Sequence, residues 1–250
     1  MTVNDVLTYL CAVAPLDTQE EWDNAGLLVG DKNATVNKAL LALDATSAVI
    51  EEAIAVGADL IITHHPIIFH SIKNVLSDTV VGNKILKLAK NDISVISMHT
   101  NLDKTLVNDI LIKKIGAFTY EDKNEFMKVG YLENEMSMKD YCSFLKSSLD
   151  NCGLRFYDSG KKVYKIACVG GAGGSELMDA YNSGCDTYIT SDIAHNVWLD
   201  AQSLGINLID ADHFNTENPA IPVLCDMLNS NFECSIFSVA ANNKQTDNYG

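Results

Sequence analysis

The sequence predicts an α/β protein made of two similar, intertwined α/β/α halves that arose by internal duplication. Three observations carry that expectation. Short apolar runs of strand length alternate with helical patterns, which is the signature of parallel β-α-β units. The stretch Gly57-Ala58-Asp59-Leu60-Ile61-Ile62-Thr63-His64-His65 aligns without a gap on Gly184-Cys185-Asp186-Thr187-Tyr188-Ile189-Thr190-Ser191-Asp192. At the same offset Leu41-Ala42-Leu43-Asp44 falls on Cys168-Val169-Gly170-Gly171, so strand, turn, helix and strand repeat together.

The elements follow in order. Residues 2–10 read as a capped amphipathic helix, with neither the basic residues nor the apolar core of a signal peptide. Residues 20–30 form a loop leading into a short strand. Trp22, Asp23 and Asn24 read there as a packed loop, with a lid as the alternative. Residues 39–43 are a strand, and Asp44, Thr46 and Ser47 offer N-caps for a helix over 48–55 that ends at Gly57. The apolar run 59–62 is a buried strand. A helical stretch at 85–89, a strand at 93–97 and a helix at 109–115 complete the first half, set at residues 1–125. The second half, 126–250, begins with a strand at 129–132 and a helix at 138–149. Strands at 154–157 and 163–169 lead to Gly170-Gly171-Ala172-Gly173-Gly174 and a helix to Asn182. That glycine run fits neither dinucleotide fingerprint nor Walker loop, and it reads as a tight turn. A second repeat pairs the strand before His99-x3-Asp103 with a strand over 206–209 before His213-x3-Glu217.

Composition narrows the function. The chain has 250 residues, 47% of them hydrophobic, and only four prolines, which indicates a globular protein without long linkers. Thirty-three acids against 18 bases give a net charge of -15, which argues against a general nucleic-acid or acidic-membrane surface. Seven cysteines at 11, 142, 152, 168, 185, 225 and 234 form no C-x-x-C pair, as expected of a reducing cytosol. No apolar run is long enough to span a bilayer, and a cytoplasmic location is expected.

The chemistry lies at the strand ends. Open parallel sheets bind ligands at the carboxyl ends of their strands. There the sequence puts His64 and His65, locked by Pro66; His99 and Asp103; Asp192 and His195; and His213 and Glu217. Of the six histidines only His70 falls elsewhere. Imidazoles with carboxylates and no thiolate suit zinc, iron, manganese, cobalt or nickel. Two ions bridged about 3.5–4 Å apart would activate a shared water for hydrolysis without a serine or cysteine nucleophile. We therefore expect a metal pair in the cleft between the halves.

Four motifs together resemble the NIF-three-like family of dinuclear metal-centre proteins, the GTP cyclohydrolase I type 2 homologues. They are Glu21-Trp22-Asp23-Asn24-x-Gly26-Leu27, Asp59-Leu60-Ile61-Ile62-Thr63-His64-His65-Pro66, His99-Thr100-Asn101-Leu102-Asp103 and His213-Phe214-Asn215-Thr216-Glu217. The resemblance spans essentially the whole chain. It implies that His64, His65, Asp103, His213 and Glu217 hold two divalent ions, with acidic bridges. It implies a toroidal homohexamer, and hydrolytic opening of a guanine nucleotide ring by a metal-bound hydroxide. A phosphoesterase and a non-enzymatic metal-binding scaffold or regulatory interaction protein are the alternatives. His99, His195 and Asp192 stand as catalytic or supporting candidates; no substrate-binding residue is assigned.

Overall fold

The computed structural model describes residues 1–150, 153–233 and 235–243. In chain order its helices are α1 (Val3–Val13), α2 (Ser47–Val56), α3 (Val80–Lys90), α4 (Thr100–Leu102), α5 (Asn108–Lys114), α6 (Met138–Ser148), α7 (Leu177–Asn182), α8 (His195–Leu204), α9 (His213–Glu217) and α10 (Ala220–Asn231). Its strands are β1 (Gly26–Val29), β2 (Lys38–Ala42), β3 (Leu60–Thr63), β4 (Ser94–Ser97), β5 (Ala117–Asp122), β6 (Lys128–Met136), β7 (Arg155–Tyr157), β8 (Val163–Cys168), β9 (Thr187–Thr190), β10 (Asn207–Asp210) and β11 (Ile236–Val239).

The chain divides into two compact units. The first is Met1–Thr105 with the described residues from Ile221 onward, and the second is Leu106–Ala220. The chain passes from the first unit to the second inside a π-helical segment, Asp103–Val107. The tail rejoins the first unit because β11 pairs in parallel with β2.

Each unit is built on the same three parallel strands. The first sheet runs β1-β4-β3-β2-β11, and the second β5-β6-β8-β9-β10-β7. β2, β3 and β4 correspond to β8, β9 and β10, down to the register: Ala39 faces Leu60 as Ile166 faces Thr187. An antiparallel edge strand follows the third strand in both, β1 on β4 and β7 on β10. The repeated glycine and aspartate have the same task in both copies. Gly57 and Gly184 take left-handed φ of 65° and 72° to end α2 and the turn after α7. The Asp59 carboxylate accepts from the Asn37 and Lys38 amides, and that of Asp186 from the Tyr164 and Lys165 amides.

Helices cover both faces of the second sheet at its centre, where β9 and β10 are buried at every position. Ile166, Cys168, Ile189 and Ile209 pack on one side with Leu111, Tyr141 and Leu145. Ala167, Tyr188 and Leu208 face the other, against Leu177, Ala180 and Ala201. In the first unit Leu40, Ala42, Ile61 and Val95 pack with Val49, Ile50, Ala53 and Leu88. The side chains of Thr2, Thr46, Thr79 and Ser137 cap α1, α2, α3 and α6.

β5, α8, α10 and β11 lie outside the elements that the sequence pattern predicts. β5 exposes five of its six residues, so no alternation marks it. Cys11, Cys142, Cys168, Cys185 and Cys225 are free thiols, and Cys152 and Cys234 lie outside the described residues. Among the described residues no helix is long and apolar enough to cross a membrane.

Candidate metal-binding site

In the first unit the parallel register delivers three side chains to one edge. Ala42 pairs with Thr63 and Thr63 with Ser97. Two residues beyond each strand pairing stand Asp44, His65 and His99, side by side. His64 and His65 share this edge, their ring centroids 5.0 Å apart, because regular strand geometry ends here: consecutive amides, of His64 and His65, donate to consecutive carbonyls, of Ala42 and Leu43.

Every imidazole at this edge is anchored through Nδ1. His64 Nδ1 donates to the Met98 carbonyl at 2.8 Å. His65 Nδ1 bonds Asp44 Oδ1 at 2.9 Å, and His99 Nδ1 bonds Asp23 Oδ1 at 2.7 Å. A carbonyl only accepts, so His64 Nδ1 carries a proton and Nε2 is the nitrogen left to meet a ligand. The carboxylate partners favour the same tautomer for His65 and His99, the pattern that orients metal-binding histidines. One nitrogen from each of the three rings lies within 4.8 Å of the others. Asp103, which opens the π-helical segment, brings Oδ1 to 3.4 Å from His64 Nε2. A divalent cation held by both would take the place of a shared proton. The donor set therefore fits a divalent metal of borderline hardness.

The Glu20–Ala25 loop is tied down to hold Asp23. The Thr100 amide and hydroxyl donate to Asp23 Oδ2, Asn24 Nδ2 donates to the Ile68 carbonyl, and the Ala25 amide donates to Gln19 Oε1. Burial opposes ionisation of Asp23. The hydrogen bonds from His99 and Thr100 outweigh it and hold the carboxyl well below the usual range.

The second unit presents a matching pair on α9. His213 and Glu217, one turn apart, bring Nε2 and Oε2 to 3.0 Å. His213 Nδ1 is anchored by Asp192 Oδ2 at 2.7 Å. Burial works against a charged His213, but Glu217 and Asp192 outweigh it and push the imidazole up to about 9. Asp192 and Asp212 both adopt left-handed backbone, at φ 49° and 69°; the Asp212 carboxylate caps α9. Gly171 makes room for Glu217. At φ +64°, a Cβ there would stand 2.1 Å from Glu217 Oε1 and 3.3 Å from His213 Nε2. The glycine run is a tight turn, with the Gly170 and Gly171 amides donating to Asn108 Oδ1 and Thr216 Oγ1.

Each unit thus gathers its own share of the sequence-predicted residues: His64, His65, His99 and Asp103 in one, Asp192, His213 and Glu217 in the other. His195 stands apart, exposed at the start of α8. The two His-x3-acid motifs are not structural equivalents. α4 starts at Thr100 and α9 at His213, so His99 corresponds to Asp212 and the motifs are offset by one residue. Sequence reasoning missed Asp23 and Asp44 as anchors, reading a loop residue and a cap. The parallel register of β2 and β3 is the signal that would have placed Asp44 beside His65.

The chain matches the family model of Duf34/NIF3 (NGG1p interacting factor 3) over residues 1–247. A Clostridium perfringens protein known as GTP cyclohydrolase 1 type 2 homolog is 37% identical over 232 residues, 88% of each chain. The Clostridium acetobutylicum protein of the same name is 36% identical over 240 residues, 91% of this chain and 90% of that one. The crystal structure of a Staphylococcus aureus protein superposes with a TM-score of 0.87 at 29% identity, covering 100% of this chain and 99% of that one. Matched along almost its whole length in sequence and fold, the chain belongs to the Duf34/NIF3 family.

Proposed function

We propose that the protein is a metal-dependent hydrolase in which His64, His65, Asp103, His213 and Glu217 together hold two divalent ions. The observation that carries this reading is the anchoring of the His64 and His213 imidazoles through Nδ1, which brings Nε2 to a carboxylate oxygen, where a divalent ion would stand in place of a proton. In the first unit His64 Nε2 stands 3.4 Å from Asp103, and in the second His213 Nε2 stands 3.0 Å from Glu217. Two carboxylates and three imidazoles, without a thiolate, suit zinc, iron, manganese, cobalt or nickel. Such ions supply Lewis acidity and an activated water near neutral pH. The chain itself orients the donors: Asp44, the Met98 carbonyl and Asp192 fix the rings of His65, His64 and His213.

The names of the Clostridium relatives point to opening of a guanine nucleotide ring. Family resemblance adds a cytoplasmic toroidal homohexamer. Free thiols on all five described cysteines suit a reducing compartment.

The test is elemental analysis of protein purified without added metal, followed by incubation of the metal-loaded protein with GTP and a panel of phosphoesters. Formate release marks ring opening, and phosphate or mononucleotide release marks phosphoester cleavage. Full metal occupancy with no product of either kind would overturn the hydrolase reading in favour of a binding scaffold. Light scattering should give a mass near six chains of 27.3 kDa each; a monomer at every concentration would refute the ring.

A further inference from the structure

We propose that Trp22 and Phe69 form a stacking subsite for the purine base of the substrate, beside the sheet edge that carries His99. The choice of a purine rests on the hydrolase reading above. The aromatic corner itself lies wholly in the first unit. Trp22 is 59% exposed and Phe69 46%. Their ring centroids stand 5.8 Å apart, and each stands 6.0 Å from that of His99. The ring contacts of Trp22 are inclined, at 56° to Phe69 and 77° to His99, so neither neighbour lies flat on the indole. A packed loop accounts for the half-buried Asp23 and Asn24, but not for an indole beside them left in water.

A single exposed apolar side chain is ordinary. This indole differs because its loop is fastened on both sides. Asp23 is held by His99 and Thr100, and the Glu20 amide donates to Thr100 Oγ1 at 3.0 Å. Asn24 Nδ2 donates at 2.6 Å to the carbonyl of Ile68, the residue before Phe69, so the segments that carry the two rings are tied to each other. His70 packs edge-on against Phe69, their centroids 4.8 Å apart. Rings held this way bind at low entropic cost, because little freedom is left to lose. A nucleobase is apolar on its faces and polar along its edges. The corner offers the complement, indole and phenyl surfaces bordered by an imidazole, and a π face accepts a base by stacking. The rival occupant is a second copy of this chain, which the exposed Ile72, Val75, Leu76 and Val80 would meet. Aliphatic side chains of that kind suit a protein contact; a fixed aromatic pair touching an imidazole suits a planar heterocycle.

The probe is 7-deazaguanosine, which lacks both a ring carbon between two imidazole nitrogens and a phosphoester, so binding is read apart from turnover. In the metal-loaded Trp198→Phe protein Trp22 is the one tryptophan left. The nucleoside should quench its fluorescence saturably, and ribose should not. By equilibrium dialysis in the wild-type background, Trp22→Leu and Phe69→Leu should each weaken the nucleoside by about 5–150-fold, the range for one lost stacking contact. Trp22→Phe keeps a π face and should retain most of the affinity. Circular dichroism and elemental analysis should find each variant folded with wild-type metal content, and Trp22→Met stands in if Trp22→Leu is not folded. The two readings fail separately. If the protein releases neither formate nor phosphate from nucleotides yet binds 7-deazaguanosine through Trp22, the hydrolase reading falls and the subsite stands. If GTP is turned over while folded Trp22→Leu keeps the wild-type KM and nucleoside affinity, the subsite falls and the hydrolase stands. Absence of saturable quenching, or equal quenching by ribose, overturns the subsite as well. So does Trp22 fluorescence that follows protein concentration and ignores the nucleoside, which would assign the rings to an interface between copies.

Discussion

Gly171→Ala tests whether the glycine turn exists to seat Glu217, and Gly57→Ala supplies its control. Both glycines adopt nearly the same left-handed backbone, at φ +64° and +65°. A side chain in that conformation costs about 1–2 kcal/mol. A Cβ on Gly57 meets nothing within 4 Å, so Gly57→Ala should lose that amount alone. At about 2–4 °C per kcal/mol for a chain of this size, its melting temperature should fall by about 2–8 °C. A Cβ on Gly171 would stand 2.1 Å from Glu217 Oε1, where ordinary contact begins at 3.4 Å. The carboxylate oxygen must retreat by about 1.3 Å, several times the roughly 0.2 Å that ligand distances tolerate. Overpacking of this kind adds about 1–3 kcal/mol. Gly171→Ala should therefore melt below Gly57→Ala and hold no more metal than Glu217→Ala, whereas Gly57→Ala keeps wild-type metal content. Calorimetry of the metal-free proteins and elemental analysis of the loaded ones measure both effects. If the two variants melt together and Gly171→Ala binds metal like the wild type, the glycine has no part in seating Glu217.

Three further outcomes follow from the geometry. Asp44→Ala removes the anchor of His65 from a half-exposed position, so zinc affinity by dialysis should fall about 10–100-fold with little change in melting; undiminished affinity would dismiss the anchor. In a Trp198→Phe background Trp22, whose ring lies 6.0 Å from that of His99, should lose fluorescence as cobalt(II) binds, and a titration without quenching would place the ion elsewhere. Lys128 is buried between Asp109 and Asp122. Removing both acids should destabilise the protein by about 3–5 kcal/mol, well beyond Lys128→Met, because only the first change leaves a buried charge uncompensated; equal losses in chemical denaturation would contradict this.

The parts of the fold legible in the sequence are those whose physics is local and periodic. The strands β2, β3, β4 and β9 are buried at almost every position, so strand length and composition announce them. Gly57 stands out because no other residue takes its φ cheaply. β11 and α10 carry no comparable mark, and their place in the first unit depends on a pairing with β2 across almost the full chain. Site residues divide in the same way. Histidines are conspicuous because they are few. Asp23 and Asp44 are two acids among 33, and only the tertiary pairing tells them from caps and solvated surface.

The duplication explains why the candidate site is harder to read than the scaffold that carries it. What the two halves share is structural: the glycine turn, the aspartate that holds two amides of the neighbouring strand, and a lysine that closes the preceding helix. Lys38 Nζ donates to the Val56 carbonyl at 2.6 Å, and Lys165 Nζ to the Ser183 carbonyl at 2.6 Å. The likeness stops where the strand does, with His64 and His65 in one copy against Ser191 and Asp192 in the other. Beyond that point histidine and carboxylate exchange places. In the first unit the middle strand supplies the imidazole of His65 and its neighbour supplies Asp44. In the second the middle strand supplies the carboxylate of Asp192, and the helix after the third strand supplies His213. The same imidazole–carboxylate pairing is thus made from opposite positions. Carrying ligands from one half to the other by alignment would misplace them, and the one-residue offset between the two His-x3-acid motifs has the same origin. A duplicated sheet edge offers equivalent backbone positions, and chemistry at those positions has diverged while the hydrogen bonds beneath them have not.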